Sequence, residues 1–208
     1  MKKVYIVLTS WRFGLHWFYY QYALNKETID ADLNRNLNQF IRRKPLNTYK
    51  KPTFLEFCFL MTFYTMFRNI FYARVANRHR FYAKFLSFFA KPQIQLDISA
   101  TAKIGGGLIV QHGYGTIIDP KSMGKNCWVN QGVTIGYKNN ADAPYIGDNV
   151  TIYTGAVIVG AIHIGNNATI GANAVVVKDI EENCVVGGVP AKILKQNNST
   201  KEHLCGNL

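Results

Sequence analysis

The sequence predicts two parts, a set of N-terminal helices followed by a solenoid of short β-strands. The chain has 208 residues, which is enough to bury a core without disulfide bonds. Residues 1–95 carry 16 Lys or Arg against 4 Asp or Glu, whereas residues 96–208 carry 8 of each. From residue 98 onward, aliphatic residues recur every six positions. The change in charge and the start of the repeat coincide, so the two halves are expected to differ in structure.

Residues 1–91 are predicted to form a basic, aromatic-rich helical domain. Their most apolar stretch, Phe54 to Phe67, is interrupted by Glu56 and closed by Arg68. Because a transmembrane helix needs roughly 20 apolar residues, this stretch is predicted to be a buried amphipathic helix. The start of the chain has an apolar run of about five residues, shorter than the roughly seven of a signal peptide.

Basic and aromatic residues alternate between Phe67 and Phe89. Such a pattern is typical of a surface that meets an anionic membrane, and equally of a solvated basic face. No helix-turn-helix, RNA-recognition or zinc-finger pattern is present, so no nucleic-acid partner is expected. We expect a cytoplasmic protein, and peripheral contact of residues 1–91 with the inner membrane face stays open.

The four cysteines, Cys58, Cys127, Cys184 and Cys205, are widely separated, and no pair has metal-ligand spacing. They are predicted to be reduced thiols of a cytosolic protein. Cys127 and Cys184 fall within the repeat, where they are expected to fill the core.

A six-residue repeat organises the second half. This period fits neither an α-helix nor an alternating strand, but it fits a solenoid whose coils bury aliphatic residues against one another. The repeat slips by one residue between Val110 and Ile117 and by five between Ile135 and Ile146. The second insertion is expected to leave the coil as a polar loop, and loops on a rigid scaffold often carry function. The predicted inward positions are Ile98, Ile104, Val110, Ile117, Met123, Val129, Ile135, Ile146, Ile152, Ile158, Ile164, Ile170 and Val176.

This repeat resembles the left-handed parallel β-helix of the hexapeptide acyltransferases. The sequence GVPAK at 188–192 resembles the closing signature of that superfamily. Asp97-Ile98, the turn His112 to Gly115 and the segment Gly132 to Gly136 resemble, in the same order, motifs of serine O-acetyltransferases and of related enzymes acting on surface polysaccharides. The resemblance covers residues 92–196. It implies a mainly β fold, a left-handed parallel β-helix with an N-terminal α-helical domain, and an acyl-CoA donor. Residues 197–208 are predicted to be a polar tail.

His112 is the predicted catalytic base. Acetylation of a hydroxyl needs a base to remove its proton, and histidine is the usual one near neutral pH. A carboxylate on the other ring nitrogen would fix the tautomer. Asp97 precedes His112 by fifteen residues, close to one eighteen-residue coil, and the resemblance assigns the catalytic pair to these two residues. The alternatives are a structural histidine and a turn aspartate.

Acetyl-CoA is the donor that the resemblance implies. Small residues allow its pantetheine arm to approach the coil edge, and basic side chains suit its phosphates. No metal is expected, because only two histidines lie in the solenoid, whereas a hexapeptide-type zinc site needs three. The predicted donor-binding residues are Gly136, Tyr137, Lys138, Thr154, Gly155, Gly171, Ala172, Lys178 and Lys192.

The acceptor is where the sequence departs from serine acetyltransferases. Gln111 stands where they have an acidic residue, and Asp142-Ala143-Pro144 stands where they have Arg-His-Pro. An amino-acid acceptor needs a cation for its carboxylate and an anion for its ammonium. We therefore expect a sugar hydroxyl of capsular, exopolysaccharide or lipopolysaccharide biosynthesis, bound by Gln111, Tyr114, Asn130 and Gln131.

Two alternatives to that acceptor remain open. One is serine O-acetyltransferase activity in cysteine biosynthesis, and the other is a non-catalytic solenoid that acts as a scaffold. The resemblance also implies a homotrimer or a dimer of trimers.

Overall fold

The structure, a computed structural model, describes residues 2–139 and 141–196. Helices fill the first part of the chain and pack around an aromatic core that includes Phe13, Phe57 and Phe71. The helices are α1 (Lys2–Thr9), α2 (Gly14–Tyr22), α3 (Lys26–Leu37), α4 (Phe54–Phe63), α5 (Thr65–Arg78) and α6 (Arg80–Phe89), with a 3-10 turn at Ser10–Phe13 and a π-helical turn at Asn38–Arg42.

The apolar stretch Phe54 to Phe67 forms two helices rather than one. Thr53 and Glu56 form a capping box at the start of α4, and Arg42 binds both carboxylate oxygens of Glu56. The Arg42 hydrogen bond lowers the pKa of Glu56 to about 2. At the other end, the guanidinium of Arg68 donates to the carbonyls of Met61 and Thr62. These last carbonyls of α4 have no partner within the helix, so Arg68 stabilises the break at Tyr64.

The second part is a three-sided parallel β-solenoid of five coils, and the predicted fold class is confirmed. The first sheet contains β1 (Leu96–Ile98), β4 (Thr116–Ile118), β7 (Thr134–Gly136), β10 (Val157–Val159) and β13 (Val175–Val176). The second contains β2 (Lys103–Ile104), β5 (Ser122–Met123), β8 (Tyr145–Ile146) and β11 (His163–Ile164). The third contains β3 (Ile109–Val110), β6 (Trp128–Val129), β9 (Thr151–Ile152), β12 (Thr169–Ile170), β14 (Cys184–Gly187) and the antiparallel β15 (Lys192–Gln196).

The predicted inward positions agree with the buried core except at the first slip. Ile118, not Ile117, pairs with Ile98 and Ile135 along the inward column of the first sheet, and Ile117 is 46% exposed. The turn after Val110 therefore takes two extra residues rather than one. The reason is a turn with several left-handed residues, which does not follow the six-residue period.

Asparagines close many corners of the solenoid. Asn126, Asn149, Asn167 and Asn183 all have positive φ, a conformation that asparagine tolerates better than most residues. The amide of Asn149 donates to Asn167, which donates to Asn183, at 3.2 and 3.0 Å. Small residues two positions before the inward aliphatic residues, such as Ala156 and Ala168, do not form these corners and are fully buried in the core.

The helices cap the open edge of the first coil through a buried ion pair. Arg74 of α5 contacts Asp32 of α3 with a distance of 2.8 Å between Nε and Oδ2. Asp32 Oδ1 accepts the backbone N–H groups of Gly107 and Leu108, and Arg74 donates to the carbonyl of Gly105. An uncovered sheet edge presents unpaired backbone groups, so these side chains satisfy the backbone where the solenoid begins.

Three cysteines, Cys58, Cys127 and Cys184, are buried free thiols, and burial raises the pKa of Cys127 to about 11. Cys205 and the predicted tail 197–208 lie outside the described residues. None of the helices in the described ranges is long and apolar enough to cross a bilayer. Helices end at Phe89 and strands begin at Leu96, and the domain limits 1–91 and 92–196 stay predictions.

Candidate active site

One corner of the solenoid brings together most of the predicted site residues. It joins the third sheet to the first sheet in four successive coils, at residues 111–115, 130–133, 153–156 and 171–174, and we call it the His112 corner. Backbone hydrogen bonds hold the coils in register. The N–H of Gly132 donates to Tyr114 at 2.8 Å, that of Gly155 to Gln131 at 3.1 Å, and that of Asn173 to Thr154 at 2.9 Å.

The predicted acceptor and donor residues lie in successive coils of this corner. The predicted acceptor residues Gln111, Tyr114, Asn130 and Gln131 lie in its first two coils. The predicted donor residues Thr154, Gly155, Gly171 and Ala172 lie in the next two. Because stacked strands are about 4.8 Å apart, the four coils form a continuous track about 14 Å long, with His112 at its start.

His112 owes its position to a left-handed turn. Its φ is 64°, and Gly113 follows with a φ of 59°. A Cβ on Gly113 would lie 3.0 Å from Cγ of Met66 and 3.1 Å from Cδ2 of Leu96, so a side chain here would press against α5 and β1 and would also strain the left-handed backbone. The N–H of Gly113 donates to Gln111 at 2.8 Å. The His112 ring is exposed, as a base that must reach a substrate requires.

Asp97 lies outward on β1, where its backbone is in register with Ile117 of β4. It shares an open depression of about 620 Å³ with Ile94, Gln95 and Tyr114. Within the residues that the structure describes, no hydrogen bond joins the Asp97 carboxylate to the His112 ring. The role of Asp97 as the orienting partner of His112 therefore stays a prediction.

The predicted phosphate-binding lysines separate into two groups. Residues 188–191 fold against the last strand of the first sheet, where Ala191 donates to the carbonyl of Val175, so Lys192 lies at the end of the His112 corner. Gly136 ends β7 at the opposite edge of that sheet, Tyr137 and Lys138 follow it, and Lys178 follows β13 at the same edge. Of the three lysines, Lys192 is the one at the His112 corner. Phosphate binding by Lys138, Lys178 and Lys192 stays a prediction.

Met66 of α5 and Gln93 of the connection after α6 reach the His112 turn, and the repeat gave no indication of them. Met66 packs beneath Gly113. Gln93 donates from Nε2 to the carbonyl of His112 at 3.4 Å and accepts from Thr65 at 2.8 Å. Neither residue belongs to a recurring pattern, so only the tertiary structure places it near the candidate base.

His163 has a different environment on the second sheet. Its ring stacks on Tyr145 with centroids 4.7 Å apart, and its Nδ1 lies 3.9 Å from an oxygen of Asp179. Tyr145 therefore does not belong to the His112 corner. Across the described ranges, no three His, Cys, Asp or Glu side chains converge as metal ligands would.

Comparisons with known proteins agree on one family. The sequence profile described as "Bacterial transferase hexapeptide (six repeats)" matches residues 143–178. The serine acetyltransferase of Staphylococcus epidermidis is 37% identical over 124 residues, which are 58% of this chain and 58% of that protein. That of Synechococcus elongatus is 32% identical over 115 residues, covering 53% and 47%. A structure of soybean serine acetyltransferase complexed with serine superposes with a TM-score of 0.64 at 27% identity, covering 81% of this chain and 69% of that one.

The chain contains a hexapeptide repeat and is similar to serine acetyltransferases in sequence and in fold. It spans about half the length of the curated relatives it matches, between 47% and 58% for the two described above.

The comparisons contradict the predicted sugar acceptor. The relatives and solved structures are serine acetyltransferases, which favours the alternative of a serine acceptor. The sugar prediction was wrong because it transferred charges residue by residue across a loop shorter than that of the family. In this structure Ala143 and Pro144 are buried, and Lys138 donates its N–H to the carbonyl of Asp142. These residues close a tight turn, so their identities reflect packing at least as much as acceptor recognition.

Proposed function

We propose that this protein transfers an acetyl group from acetyl-CoA to the hydroxyl of serine. The observation that carries the proposal is the His112 corner: a solvent-accessible histidine starts a track of small residues, on a fold similar to that of a serine acetyltransferase complexed with serine. The names of the sequence relatives support the same reaction.

In the proposed reaction, a ring nitrogen of His112 accepts the proton of the serine hydroxyl as the oxygen attacks the thioester carbonyl carbon. A C–O bond forms and gives a tetrahedral intermediate. The C–S bond then breaks, and the departing CoA sulfur receives the proton from the imidazolium. No net proton is gained or lost by the protein, so His112 is ready for another turnover.

The donor is proposed to lie along the His112 corner. The small side chains of Thr154 and Ala172 are proposed to line its extended amide chain. Gly155 and Gly171 lie beside them, where an added Cβ would meet Asn173 and Val186 of the next coil. Lys192, at the end of the corner, is the cation best placed for a phosphate of CoA. Gly136, Tyr137, Lys138 and Lys178 lie at the other edge of the first sheet, where they would serve a donor held in the groove between two subunits. That arrangement goes with the proposed homotrimer or dimer of trimers.

Asp97 is proposed to orient the His112 ring, as the resemblance implies. Serine recognition is proposed to involve Tyr114, at the open depression that it shares with Asp97. We also propose a cytoplasmic location and contact of the basic N-terminal part with a membrane surface.

The proposal is tested by release of free thiol from acetyl-CoA with L-serine as acceptor. Wild-type protein should turn over, and His112→Ala should lose about 10²–10⁴-fold in kcat, the usual contribution of a general base. His163→Ala is the matched control, because it removes an exposed solenoid histidine far from the corner. Thiol release that is independent of serine, or equal in the two variants, would contradict the proposal.

A second variant tests where serine binds. Gln111→Asp restores the acidic residue that serine acetyltransferases have before the catalytic histidine, so it should lower KM for L-serine and leave KM for acetyl-CoA unchanged. The carboxylate would pair with the serine ammonium group, as an ion pair of this kind favours binding. An unchanged KM for serine would place the ammonium group elsewhere in the site.

A further inference from the structure

A row of exposed apolar side chains runs along the N-terminal helices. From α1 through the 3-10 turn to α2, its members are spaced alternately by four and three residues, so they lie along one side of the helical path. Each is between 42% and 75% exposed. The row, which we call the N-terminal stripe, consists of Val4, Leu8, Trp11, Leu15, Phe18 and Tyr22.

Helix α6 carries a second row of the same kind. Phe81, Phe85 and Phe88 are spaced by four and three residues and are 85%, 43% and 84% exposed. The opposite side of the helix buries Ala83 and Leu86. We call the three phenylalanines the α6 stripe. Packing within the chain accounts for the buried face of this helix, but it does not explain three phenylalanines exposed to water on the other face.

The two stripes belong to neighbouring elements. The ring of Tyr19 in α2 stacks on that of Tyr82 in α6 with centroids 5.3 Å apart. The guanidinium of Arg12 donates to the carbonyl of Phe89 at 3.0 and 3.1 Å. The helices that carry the stripes are therefore fixed relative to each other by packed rings and by a side-chain cap.

The sequence segments that carry the stripes contain cations and no acids. Residues 1–26 and 57–96 contain no Asp or Glu, but they contain 4 and 6 Lys or Arg, respectively. Two of those six, Arg68 and Arg74, are buried. The exposed ones include Arg80 and Lys84 on α6 itself and Lys91 just after it. An apolar, aromatic face bordered by cations is the pattern of a helix that lies in a membrane interface.

We propose that the N-terminal and α6 stripes form a surface that binds an anionic membrane from one side. The aromatic side chains enter the boundary between head groups and acyl chains, and Arg80, Lys84 and Lys91 pair with anionic head groups. The surface is interfacial rather than spanning, as the lengths of the described helices require.

A second copy of the chain is the competing occupant, because rows with this spacing also pack helix on helix. Charge argues against it. Pairing two copies through these stripes would bring together two sets of helices whose own segments, 1–26 and 57–96, have cations and no acids, whereas paired helices usually place opposite charges beside the apolar seam. Anionic lipid supplies the complementary charge that the chain lacks in both segments.

The test is co-sedimentation of the full chain with lipid vesicles. Vesicles of phosphatidylcholine alone are compared with vesicles containing about one-third phosphatidylglycerol. Wild-type protein should bind the anionic vesicles preferentially and should detach as salt is raised. Phe81→Ser/Phe88→Ser should bind at least tenfold more weakly, because both aromatic anchors are lost. Arg80→Gln/Lys84→Gln should bind about thirtyfold more weakly, from the contribution of two cations near a charged surface.

The control is Ile193→Ser/Leu194→Ser, which removes two exposed aliphatic side chains from β15 (55% and 70% exposed) and should bind vesicles as the wild type does. Circular dichroism and light scattering of each protein report folding and mass. The proposal would be overturned if the wild-type protein stayed in the supernatant with anionic vesicles. It would also be overturned if the Phe81/Phe88 variant and the Arg80/Lys84 variant both bound as tightly as the wild type. A fall in oligomer mass of the Phe variant, with no vesicle binding by the wild type, would assign the stripes to contact between copies instead.

Discussion

The cap between the helices and the solenoid makes a quantitative prediction for Asp32→Asn. The change keeps the shape of the side chain but removes the charge that pairs with Arg74 and that accepts the N–H groups of Gly107 and Leu108. Breaking one partner of a buried ion pair usually costs about 3–5 kcal/mol. Arg74 keeps its hydrogen bonds to the carbonyls of Ile104 and Gly105, so we expect the lower end, about 3 kcal/mol.

The assay is unfolding by urea and by heat, with Glu27→Gln as the matched control. Glu27 is an exposed acid on the same helix, so its variant should differ from wild type by less than about 0.5 kcal/mol. A loss of about 3 kcal/mol corresponds to a fall in Tm of roughly 6–12 °C for a chain of this size. If Asp32→Asn unfolds with the wild-type midpoint, the helices do not depend on this pair to cap the first coil.

Two further predictions concern the helical core and the turn of the candidate base. Burial lowers the pKa of His16 to about 4. The unfolded chain binds a proton on this imidazole near pH 6.5, whereas the folded chain binds it only near pH 4. The free energy of unfolding should therefore fall by up to about 3 kcal/mol as pH drops through that window. Unfolding of His16→Gln between pH 7 and 4 should lack this loss, and an unchanged pH profile would refute the assignment. Gly113→Ala should destabilise the protein by about 1–3 kcal/mol and reduce turnover, since its Cβ would meet Met66 and Leu96. Gly115→Ala has a similar φ of 62° but nothing within 4 Å of the added Cβ, so equal losses at both positions would mean that packing beneath His112 is irrelevant.

The solenoid could be predicted from the sequence because each coil buries side chains at equivalent positions of the six-residue repeat. One side chain in every six fills the interior of the three-sided solenoid. Ile135, Ile158 and Val176 do so in register along one sheet. The slip after Val110 also indicated the correct place for a turn, although not its length. Turns with left-handed residues such as His112 follow local backbone geometry and not the repeat, so the inward position moved to Ile118.

The helical part was predictable only in outline. The break at Tyr64 depends on Arg68, which reaches back to carbonyls at the end of α4. The docking of α3 and α5 on the first coil depends on Asp32 and Arg74, two polar residues that give no periodic signal. Contacts of this kind join residues that are far apart in sequence, and composition does not reveal them.

The candidate site shows the same division. Residues that follow equivalent strands, such as Gln131 and Thr154, were brought to one corner by the repeat itself. The choice of acceptor was predicted wrongly, because it relied on charges in a loop whose length differs from that of the relatives. The pairing of Asp97 with His112 came from the resemblance, and the repeat itself carries no signal for it, because Asp97 lies outward on β1.

Mass spectrometry of the product tests whether His112 activates a serine hydroxyl for acetylation. Purified protein of residues 1–208 is incubated with acetyl-CoA and L-serine, alongside His112→Ala and the control His163→Ala. We expect O-acetylserine from the wild type and from His163→Ala, and little or none from His112→Ala. Absence of O-acetylserine with the wild type, or equal amounts from all three proteins, would contradict this expectation.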